Sequence, residues 1–402
     1  MTILFKHARL LQDSREELVN IVIEGDTVRC ILPPDQLELP GGEAADEIID
    51  IDGRYLSHGF IDIHVHGGGG HDFMDNTTEA YEGALNLHLS HGTTALMPTT
   101  VASSSEKLEA ALDAYEKAAA ELTAPVRLLG MHIEGPYLAA NQAGAQDPQY
   151  IRDPNPSEYE PWLKRYPFIK RWTIAPERPG ALEMGDFLVE HGALPSAGHA
   201  DATYEEMKEA RHHGYTLLTH LYSAMSTIVR KQGFRHAGLV ESAYLLDDVN
   251  VEIIADGYHL PDSLLQMVYR FIGPKRTALV TDAMRGAGMP EGPSILGAKD
   301  GGLPVILEGG VAKLPDRTAF AGSMGTADRL IQTMVNGSGA SLAEAVRMMT
   351  QTPAEIMGIA QQTGSILPGR QADFCVFTFE NGVFDLEEVY IGGQSAWRQS
   401  HE

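Results

Sequence analysis

The chain has 402 residues, 43% of them hydrophobic, which suits one large domain with a small accessory domain. Its 30 basic and 55 acidic residues give a formal charge of −25, which argues against nucleic acid or an anionic membrane as the main partner. With only Cys30 and Cys375 present, a cysteine zinc cluster is excluded. Because we find no signal peptide and no membrane-spanning run, we expect a cytoplasmic protein.

The two ends of the chain share a pattern of short strands. Residues 1–55 alternate apolar and polar side chains, with turn signals at Gly25 and Pro33, and residues 365–402 contain similar runs. Neither end can bury much apolar surface alone. We therefore predict that both ends meet in one small β-sandwich domain and that residues 56–364 form a second domain.

The long middle segment alternates apolar strands with helical stretches, which is typical of a parallel sheet built from βα units. Capping boxes that begin at Thr203 and Ser341 mark the start of two helices. Eight βα units and about 250 residues are what a TIM barrel requires, so we predict an α/β fold with a (β/α)8 barrel. The predicted strands lie near 60–66, 93–99, 127–134, 172–176, 194–199, 216–220, 251–256 and 277–282.

The first predicted barrel strand ends in a pair of histidines. Side chains alternate across a strand, so Asp62, His64 and His66 leave one face and the isoleucines leave the other. Two imidazoles on one face can reach one cation, and the glycines at 67–70 allow close approach of a substrate. A single H-x-H pattern also arises by chance in a chain with 16 histidines, so the other strands decide its meaning.

Histidine and carboxylate side chains recur at the C-terminal ends of further predicted strands, which is the edge that carries the chemistry of TIM barrels. Such side chains bind zinc or iron(II) and leave room for a water molecule, whose pKa then falls to about 7. Asp282 can take a proton from that water and return it to a departing nitrogen, so the pattern predicts amide hydrolysis. His132 is interpreted as a packed or hydrogen-bonding residue. The strand-end residues are Glu134, His199, His220 and Asp282.

Several longer motifs occur in a fixed order along the chain. They include Gly59-Phe-Ile-Asp-Ile-His-Val-His-Gly, Gly130-Met-His-Ile-Glu-Gly-Pro-Tyr, Ala197-Gly-His, Thr219-His-Leu-Tyr-Ser-Ala-Met, Ala255-Asp-Gly-Tyr-His and Thr281-Asp-Ala. By these motifs the chain resembles the amidohydrolase superfamily and, within it, the N-acetylglucosamine-6-phosphate deacetylases. The resemblance covers nearly the whole chain, including the split β-sandwich.

The resemblance implies a metal-dependent enzyme that removes acetate from N-acetylglucosamine 6-phosphate and leaves glucosamine 6-phosphate. It implies one or two divalent ions per subunit, Zn²⁺ or Fe²⁺, and a homodimer. Asp282 is implied as the catalytic acid and base as well as a metal ligand. The implied ligands of the main ion are Glu134, His199 and His220, and those that help to hold a second ion are His64 and His66.

Three departures from the family pattern affect the substrate side of the site. Ser223 stands where the family usually has asparagine, and Gln146 stands where it usually has histidine. The segment that grips phosphate in the family is altered in spacing but keeps its charge, so it is either a phosphate site or a solvated loop. By resemblance, the candidate substrate-binding residues are Gln146, Ser223, Ala224, Arg230, Arg235, His236 and His259, the last as a ligand of sugar hydroxyls.

Three functions therefore stand against one another. The first is a deacetylase of N-acetylglucosamine 6-phosphate. The second keeps the mechanism but acts on N-acetylgalactosamine 6-phosphate, on an unphosphorylated N-acetyl sugar or on a cyclic amide. The third is a non-catalytic sugar-phosphate sensor, which the complete set of ligands and Asp282 disfavour.

Overall fold

The computed structural model describes residues 1–400 of the chain, which begins with strands. These strands are buried along part of their length, as in β2, where residues 19–23 are buried on both faces and the first four residues are exposed. The first five strands are β1 (Thr2–Gln12), β2 (Arg15–Glu24), β3 (Thr27–Leu32), β4 (Glu47–Asp50) and β5 (Tyr55–His58).

Strands and helices then alternate, as the sequence predicts for residues 56–364. The elements in chain order are β6 (Phe60–Val65), β7 (Gly67–Gly68), β8 (His71–Asp72), α1 (Thr78–Leu89), β9 (Thr93–Pro98), α2 (Ser105–Glu121), β10 (Arg127–Leu128), β11 (Met131–Glu134), α3 (Pro156–Arg165), β12 (Ile169–Ile174), α4 (Ala181–Glu190), β13 (Leu194–Ala197), α5 (Tyr204–Ala210), β14 (Leu217–Leu218), β15 (Val229–Lys231), β16 (Phe234–His236), α6 (Leu239–Leu245), β17 (Asn250–Ile253), α7 (Asp262–Phe271) and β18 (Thr277–Leu279). Short 3-10 helices lie at Phe73–Asp75, Ala140–Gln142, Pro148–Tyr150 and Arg211–His213.

A small antiparallel sheet, three helices and three final strands complete the described chain. Within residues 1–400, no helix is both long enough and apolar enough to cross a membrane. These last elements are β19 (Gly292–Leu296), β20 (Leu303–Glu308), β21 (Val311–Lys313), α8 (Ala327–Ser338), α9 (Leu342–Met349), α10 (Gln351–Ile356), β22 (Phe374–Glu380), β23 (Val383–Ile391) and β24 (Gln394–Arg398).

Both ends of the chain join one eight-stranded sheet, with the order β24-β23-β22-β5-β1-β2-β3 and β4 paired to β1. The strands from the two ends of the chain are joined by the antiparallel pairing of β22 with β5. Phe5, Phe374 and Tyr390 pack edge to face in its apolar core. Cys30 in β3 and Cys375 in β22 therefore lie in the same sheet, and both are free thiols.

The eight predicted parallel strands are all present, close to their predicted positions. β6 pairs with β9 and β9 with β10, while β11, β12, β13, β14, β17 and β18 follow one another in a second parallel sheet. A bridge between Thr99 and His132 links the two sheets. On the other side, the backbone N–H of Asp282 donates to the carbonyl of His64 at 2.9 Å, so the chain after β18 contacts β6.

The predicted strand 127–134 is divided into β10 and β11 because the chain changes its partner strand there. β10 pairs with β9, whereas β11 pairs with β12. Gly130, between them, has a φ of +102°, a conformation that favours glycine. The amide of Gly130 donates to the hydroxyl of Tyr115 at 3.0 Å, so the interruption does not leave that group unpaired.

Both predicted capping boxes are confirmed. The Thr203 hydroxyl accepts from the amide of Glu206, and the Glu206 carboxylate accepts from the amide of Thr203 at 2.7 Å, before α5 begins. Ser341 and Glu344 form the same reciprocal pair before α9. These pairs satisfy amide groups that the first turn of a helix leaves without partners.

Candidate metal centre and active site

Six of the predicted site residues lie at the C-terminal edge of the parallel strands. His64 and Glu134 lie within β6 and β11, His66 directly follows β6, and the other three follow β13, β14 and β18 by two or three residues. There the chain turns sharply, and His199, His220 and Asp282 have φ values of +48°, +31° and +46°. Such angles are strained for residues with a Cβ, so the surrounding structure must hold them in place.

One group of possible metal ligands comprises His64, His66 and Glu134, all buried. The Nε2 atoms of His64 and His66 lie 3.4 Å from Glu134 Oε1 and Oε2, respectively. His66 Nε2 also lies 3.0 Å from Asp282 Oδ1. Four side chains from three strand ends thus meet with their ligand atoms close together.

A second group comprises Glu134, His199 and His220. Glu134 Oε1 lies 3.3 Å from His199 Nε2 and 3.1 Å from His220 Nε2, and the two imidazole nitrogens lie 3.2 Å apart. In each group the ligand atoms lie within 4.8 Å of one another. Because Glu134 belongs to both groups, its carboxylate can join two ions.

Hydrogen bonds on the far side of two imidazoles orient them. His199 Nδ1 is 2.9 Å from the carbonyl of Gln142, and His66 Nδ1 is 3.2 Å from the carbonyl of Thr99. A carbonyl accepts hydrogen bonds, so each Nδ1 carries the proton and each Nε2 has a free lone pair. That tautomer is the one a metal ion requires, so these residues fit a metal centre.

The charges in the centre favour a cation. Burial disfavours ionisation of Glu134, but the nearby His64 and His199 outweigh it and lower the pKa of Glu134 well below its usual range. Burial also opposes a charge on His66, but Asp282 and Glu134 raise the pKa of His66 well above its usual value. Both shifts arise because two carboxylates face imidazoles in a buried space. A divalent ion would satisfy the same field.

A cavity of about 200 Å³ opens onto both groups. Its wall includes four of the predicted substrate-binding residues, together with Leu296 and Phe320 from the segment after β18. Between β18 and α8 the strands β19, β20 and β21 form a small sheet, which is not predicted from the sequence. The predicted residues on the wall are Gln146, Ser223, Ala224 and His259.

Two of these residues have clear partners. Gln146 Oε1 accepts from the amide of Ala102 at 2.7 Å, and its Nε2 donates to Glu134 Oε2 at 2.5 Å. The Gln146 amide therefore supports a metal-ligand candidate as well as lining the cavity. His259 Nδ1 is 2.9 Å from Asp256 Oδ2, so its Nε2 remains available to accept a hydrogen bond from a ligand.

The basic segment forms a short hairpin. Arg230 and Arg235 face each other across the hairpin of β15 and β16, and both are exposed. Phe234 on the same hairpin is 74% exposed, and His236 is partly buried. The cavity wall described above does not include Arg230, Arg235 or His236. The structure thus gathers the predicted metal ligands in a buried group, whereas the two arginines of the hairpin are exposed.

Three buried residues support the centre from behind. His132, predicted to be a packed or hydrogen-bonding residue, is fully buried and contacts the hydroxyls of Thr99 and Thr173. Arg171 and Glu252 are also fully buried, and neither is predicted from the sequence as a site residue. Their signal is a charged residue within a buried strand, but it is weak in β12, where Lys170 stands beside Arg171, and clearer in β17, where Glu252 is the one charged residue.

Comparisons with known proteins agree with this geometry. A model of the amidohydrolase family matches residues 55–396. N-acetylglucosamine-6-phosphate deacetylase of Lysinibacillus sphaericus is 34% identical, over 80% of this chain and 81% of the relative, and N-acetylgalactosamine-6-phosphate deacetylase of Escherichia coli O157:H7 is 29% identical, over 87% and 89%. A solved structure of N-acetyl-D-glucosamine-6-phosphate deacetylase from Mycobacterium smegmatis, a mutant in complex with N-acetyl-D-glucosamine-6-phosphate, superposes with a TM-score of 0.86 at 29% identity, covering 98% of this chain and 99% of that one. The chain belongs to the amidohydrolase family.

Proposed function

We propose that this protein is a metal-dependent deacetylase that hydrolyses the acetamide of N-acetylglucosamine 6-phosphate to glucosamine 6-phosphate and acetate. The observation that carries the proposal is the group of His66, Glu134, His199, His220 and Asp282 on the wall of one cavity, with His64 Nε2 behind them at 3.5 Å from Asp282 Oδ1. Relatives named for this activity match most of the chain.

The proposal assigns the ligands to two ions, Zn²⁺ or Fe²⁺. Glu134, His199 and His220 would hold one, His64 and His66 with Glu134 would hold the other, and Asp282 would contribute to the centre. When bound, a divalent ion would supply Lewis acidity that polarises the acetamide carbonyl and makes water nucleophilic near neutral pH.

The side chains of this protein then handle protons and substrate. Asp282 Oδ1, on the cavity wall, accepts a proton from the attacking water and returns it to the sugar nitrogen as the C–N bond breaks. Burial opposes ionisation of Asp282, but His64 and His66 lower its pKa, so it is a carboxylate when the reaction begins. His259, held by Asp256, contacts the sugar hydroxyls, and Gln146, Ser223 and Ala224 line the acetyl and sugar space.

We further propose that the phosphate is bound by the basic hairpin through Arg230, Arg235 and His236. The support is chemical: these residues keep positive charge in a chain whose net charge is −25. The enzyme is proposed to act as a homodimer in the cytoplasm. Light scattering of the purified protein tests the dimer, and a monomer mass of 43.7 kDa contradicts it.

The proposed architecture is a closed (β/α)8 barrel, residues 56–364, with a small β-sandwich domain from residues 1–55 and 365–402. The amide of His66 donates to the carbonyl of Ala283 at 2.8 Å, which supports closure between the first and the eighth strand. The shared sheet of β1–β5 and β22–β24 supports the joint origin of the small domain.

The test is acetate release from four sugars by protein loaded with zinc or iron(II). The substrates are N-acetylglucosamine 6-phosphate, N-acetylgalactosamine 6-phosphate and their unphosphorylated forms. We expect the highest kcat/KM for N-acetylglucosamine 6-phosphate. Release from none of them contradicts the deacetylase, and release that ignores the phosphate contradicts the role of the hairpin.

A second candidate substrate is N-acetylgalactosamine 6-phosphate. Ser223 and Gln146 depart from the usual residues of the family, and both lie on the cavity wall. A relative named for this activity is 29% identical over 87% of the chain. In the same assay, a higher kcat/KM for the galactosamine sugar would favour this candidate without changing the proposed mechanism.

A further inference from the structure

A buried ion pair lies behind the metal centre and is not part of the cavity wall described above. Arg171 in β12 and Glu252 in β17 are both 0% exposed. The two residues are 81 positions apart in the chain. Arg171 contacts the carbonyl of Ile63 and Glu252 contacts the ring of His64, and both of these partners lie in β6. A buried charge pair needs well-formed geometry to persist, so each of its contacts is informative.

Arg171 uses all five of its N–H groups. Its Nε donates to Ser196 Oγ at 3.0 Å, and its two terminal nitrogens donate to the carbonyl of Ile63 at 3.1 Å and to Thr219 Oγ1 at 2.9 Å. The remaining two donors form a fork onto the two oxygens of Glu252. Arg171 is therefore fixed on every side, and it fixes the Glu252 carboxylate in turn.

Glu252 presents this fixed carboxylate to His64. Glu252 Oε2 lies 3.3 Å from His64 Nδ1, on the side of the ring away from the metal centre. Since a carboxylate accepts, the proton lies on Nδ1 and the lone pair lies on Nε2. His64 Nε2 is 3.4 Å from Glu134 Oε1 and 3.5 Å from Asp282 Oδ1.

The environment of His64 Nε2 is a second, independent indication of a cation site. In the described part of the chain this buried nitrogen has no hydrogen-bond partner, although buried polar atoms normally have one. It is aimed between the carboxylates of Glu134 and Asp282. A cation at this position would satisfy the nitrogen and both carboxylates together.

We infer that Glu252, held by Arg171, is a positioning residue that orients His64 and sets the affinity of the ion bound by His64, His66 and Glu134. The inference rests on the proposed metal centre and extends it to a control of the second ion. The ion of His199 and His220 depends on it less, because Glu252 Oε2 reaches only the backbone amide of His220, at 3.4 Å, and the His199 ring is oriented by the carbonyl of Gln142.

A simpler role for Glu252 is to neutralise Arg171. A single substitution of Glu252 would therefore remove both the counter-charge of Arg171 and the hydrogen-bond acceptor of His64 Nδ1. A double variant, Glu252→Leu with Arg171→Met, removes both charges and keeps similar volumes, which buried ion pairs often tolerate. It leaves His64 Nδ1 without its acceptor. A matched control is Arg347→Met with Glu355→Leu, which removes an ion pair away from the cavity.

The experiment measures zinc content after dialysis and zinc affinity by titration against a competing chelator, with thermal unfolding to confirm the fold. For the double variant we expect about 10- to 100-fold weaker binding of one ion and nearly unchanged binding of the other. The control should retain both affinities. A folded double variant that binds both ions as tightly as the wild type overturns the inference but leaves the proposed function intact, whereas a wild type that binds neither zinc nor iron(II) overturns both.

A second measurement needs no change to the ion pair. In metal-free wild-type protein, nitrogen NMR of ¹⁵N-labelled histidine should show neutral His64 protonated at Nδ1, with its signals identified by their loss in His64→Gln. Protonation at Nε2 would overturn the inference even if the double variant fails to fold. If the double variant fails to fold, zinc affinity is measured instead on Glu252→Gln, which retains the side-chain volume.

Discussion

The strand edge that gathers the proposed metal ligands and the β15–β16 hairpin that carries Arg230 and Arg235 have opposite settings. Ligands at the edge are buried and held by hydrogen bonds on their far sides, as His66 and His199 are by backbone carbonyls. The two hairpin arginines are exposed. Residues that orient reacting groups need a fixed geometry, whereas residues that attract a charged group can act from a solvated position.

Backbone conformation sharpens this difference. Asp282 has a φ of +46°, yet its amide donates to the carbonyl of His64 at 2.9 Å and its carbonyl accepts from Ser323 at 2.8 Å. These bonds hold a strained conformation that aims its carboxylate into the centre. Gln232, at the tip of the hairpin, also has a positive φ of +53°, but it is exposed and serves a tight turn.

Removal of metal should have the largest effect. Dialysis against a strong chelator is expected to reduce acetate release to the uncatalysed level, because the chemistry requires the Lewis acid, and zinc or iron(II) should restore it. Metal analysis should give about two ions per chain at saturation, since Glu134 belongs to both ligand groups. Full activity in the metal-free protein would contradict the assignment of the strand edge.

The next largest effect is expected for Asp282→Asn. It should lower kcat by about 10²- to 10⁴-fold, because the amide cannot take or return the proton. The matched control is Asp201→Asn, which makes the same chemical change at a residue away from the cavity wall described above. Circular dichroism and metal content should match the wild type in both variants, and an Asp282→Asn enzyme at full rate would rule out its assigned role.

Single Arg230→Gln and Arg235→Gln variants test the exposed side of the comparison. Loss of a charge-assisted contact to phosphate should raise KM for the phosphorylated sugar by about tenfold or more and leave kcat and the unphosphorylated sugar unaffected. Arg270→Gln, another exposed arginine, is the control. Equal kinetics in all three variants would make the hairpin a solvated loop.

A smaller effect, on stability, is expected for the buried residue His88. Its Nε2 lies 2.9 Å from the carbonyl oxygen of Gly67, which directly follows His66. Burial lowers the pKa of His88 to about 4, from 6.5 in the unfolded chain. Between these values the unfolded chain binds more protons, so the free energy of unfolding should fall as the pH drops from 6.5 towards 4, by up to about 1.4 kcal/mol per pH unit.

The measurement is urea unfolding at several pH values. His88→Gln should remove this part of the pH dependence, whereas His212→Gln, at an exposed residue, should retain it. If wild type and His88→Gln lose stability in parallel over this range, then His88 is not buried in a neutral form.

Much of the strand edge could be predicted because its signals are local. Period-two patterns and apolar runs locate single strands, and the capping box at Thr203 locates the start of α5 from four consecutive residues. Parallel strands place their C-terminal ends at one edge, so His64, Glu134 and His220 could be assigned to one centre before any distance was known.

The support behind that edge could not be predicted in this way. The pair of Arg171 with Glu252 joins residues 81 positions apart, and only the packed structure shows that their side chains meet. Gln146 likewise faces the cavity as expected, but its bond to Glu134 depends on the path of the loop after β11. The sheet of β19, β20 and β21 carries prolines at 293 and 304, which weaken a strand pattern in the sequence.

The most direct test of the central claim is hydrolysis of N-acetylglucosamine 6-phosphate by the metal-loaded enzyme in water enriched in ¹⁸O. Water attack at the acetamide carbon predicts acetate that carries one ¹⁸O atom, formed in equal amount to glucosamine 6-phosphate. Mass spectrometry of the acetate and NMR of the sugar measure both. Acetate without the label, or no acetate at all, would contradict the proposal that this strand edge is a hydrolytic metal centre.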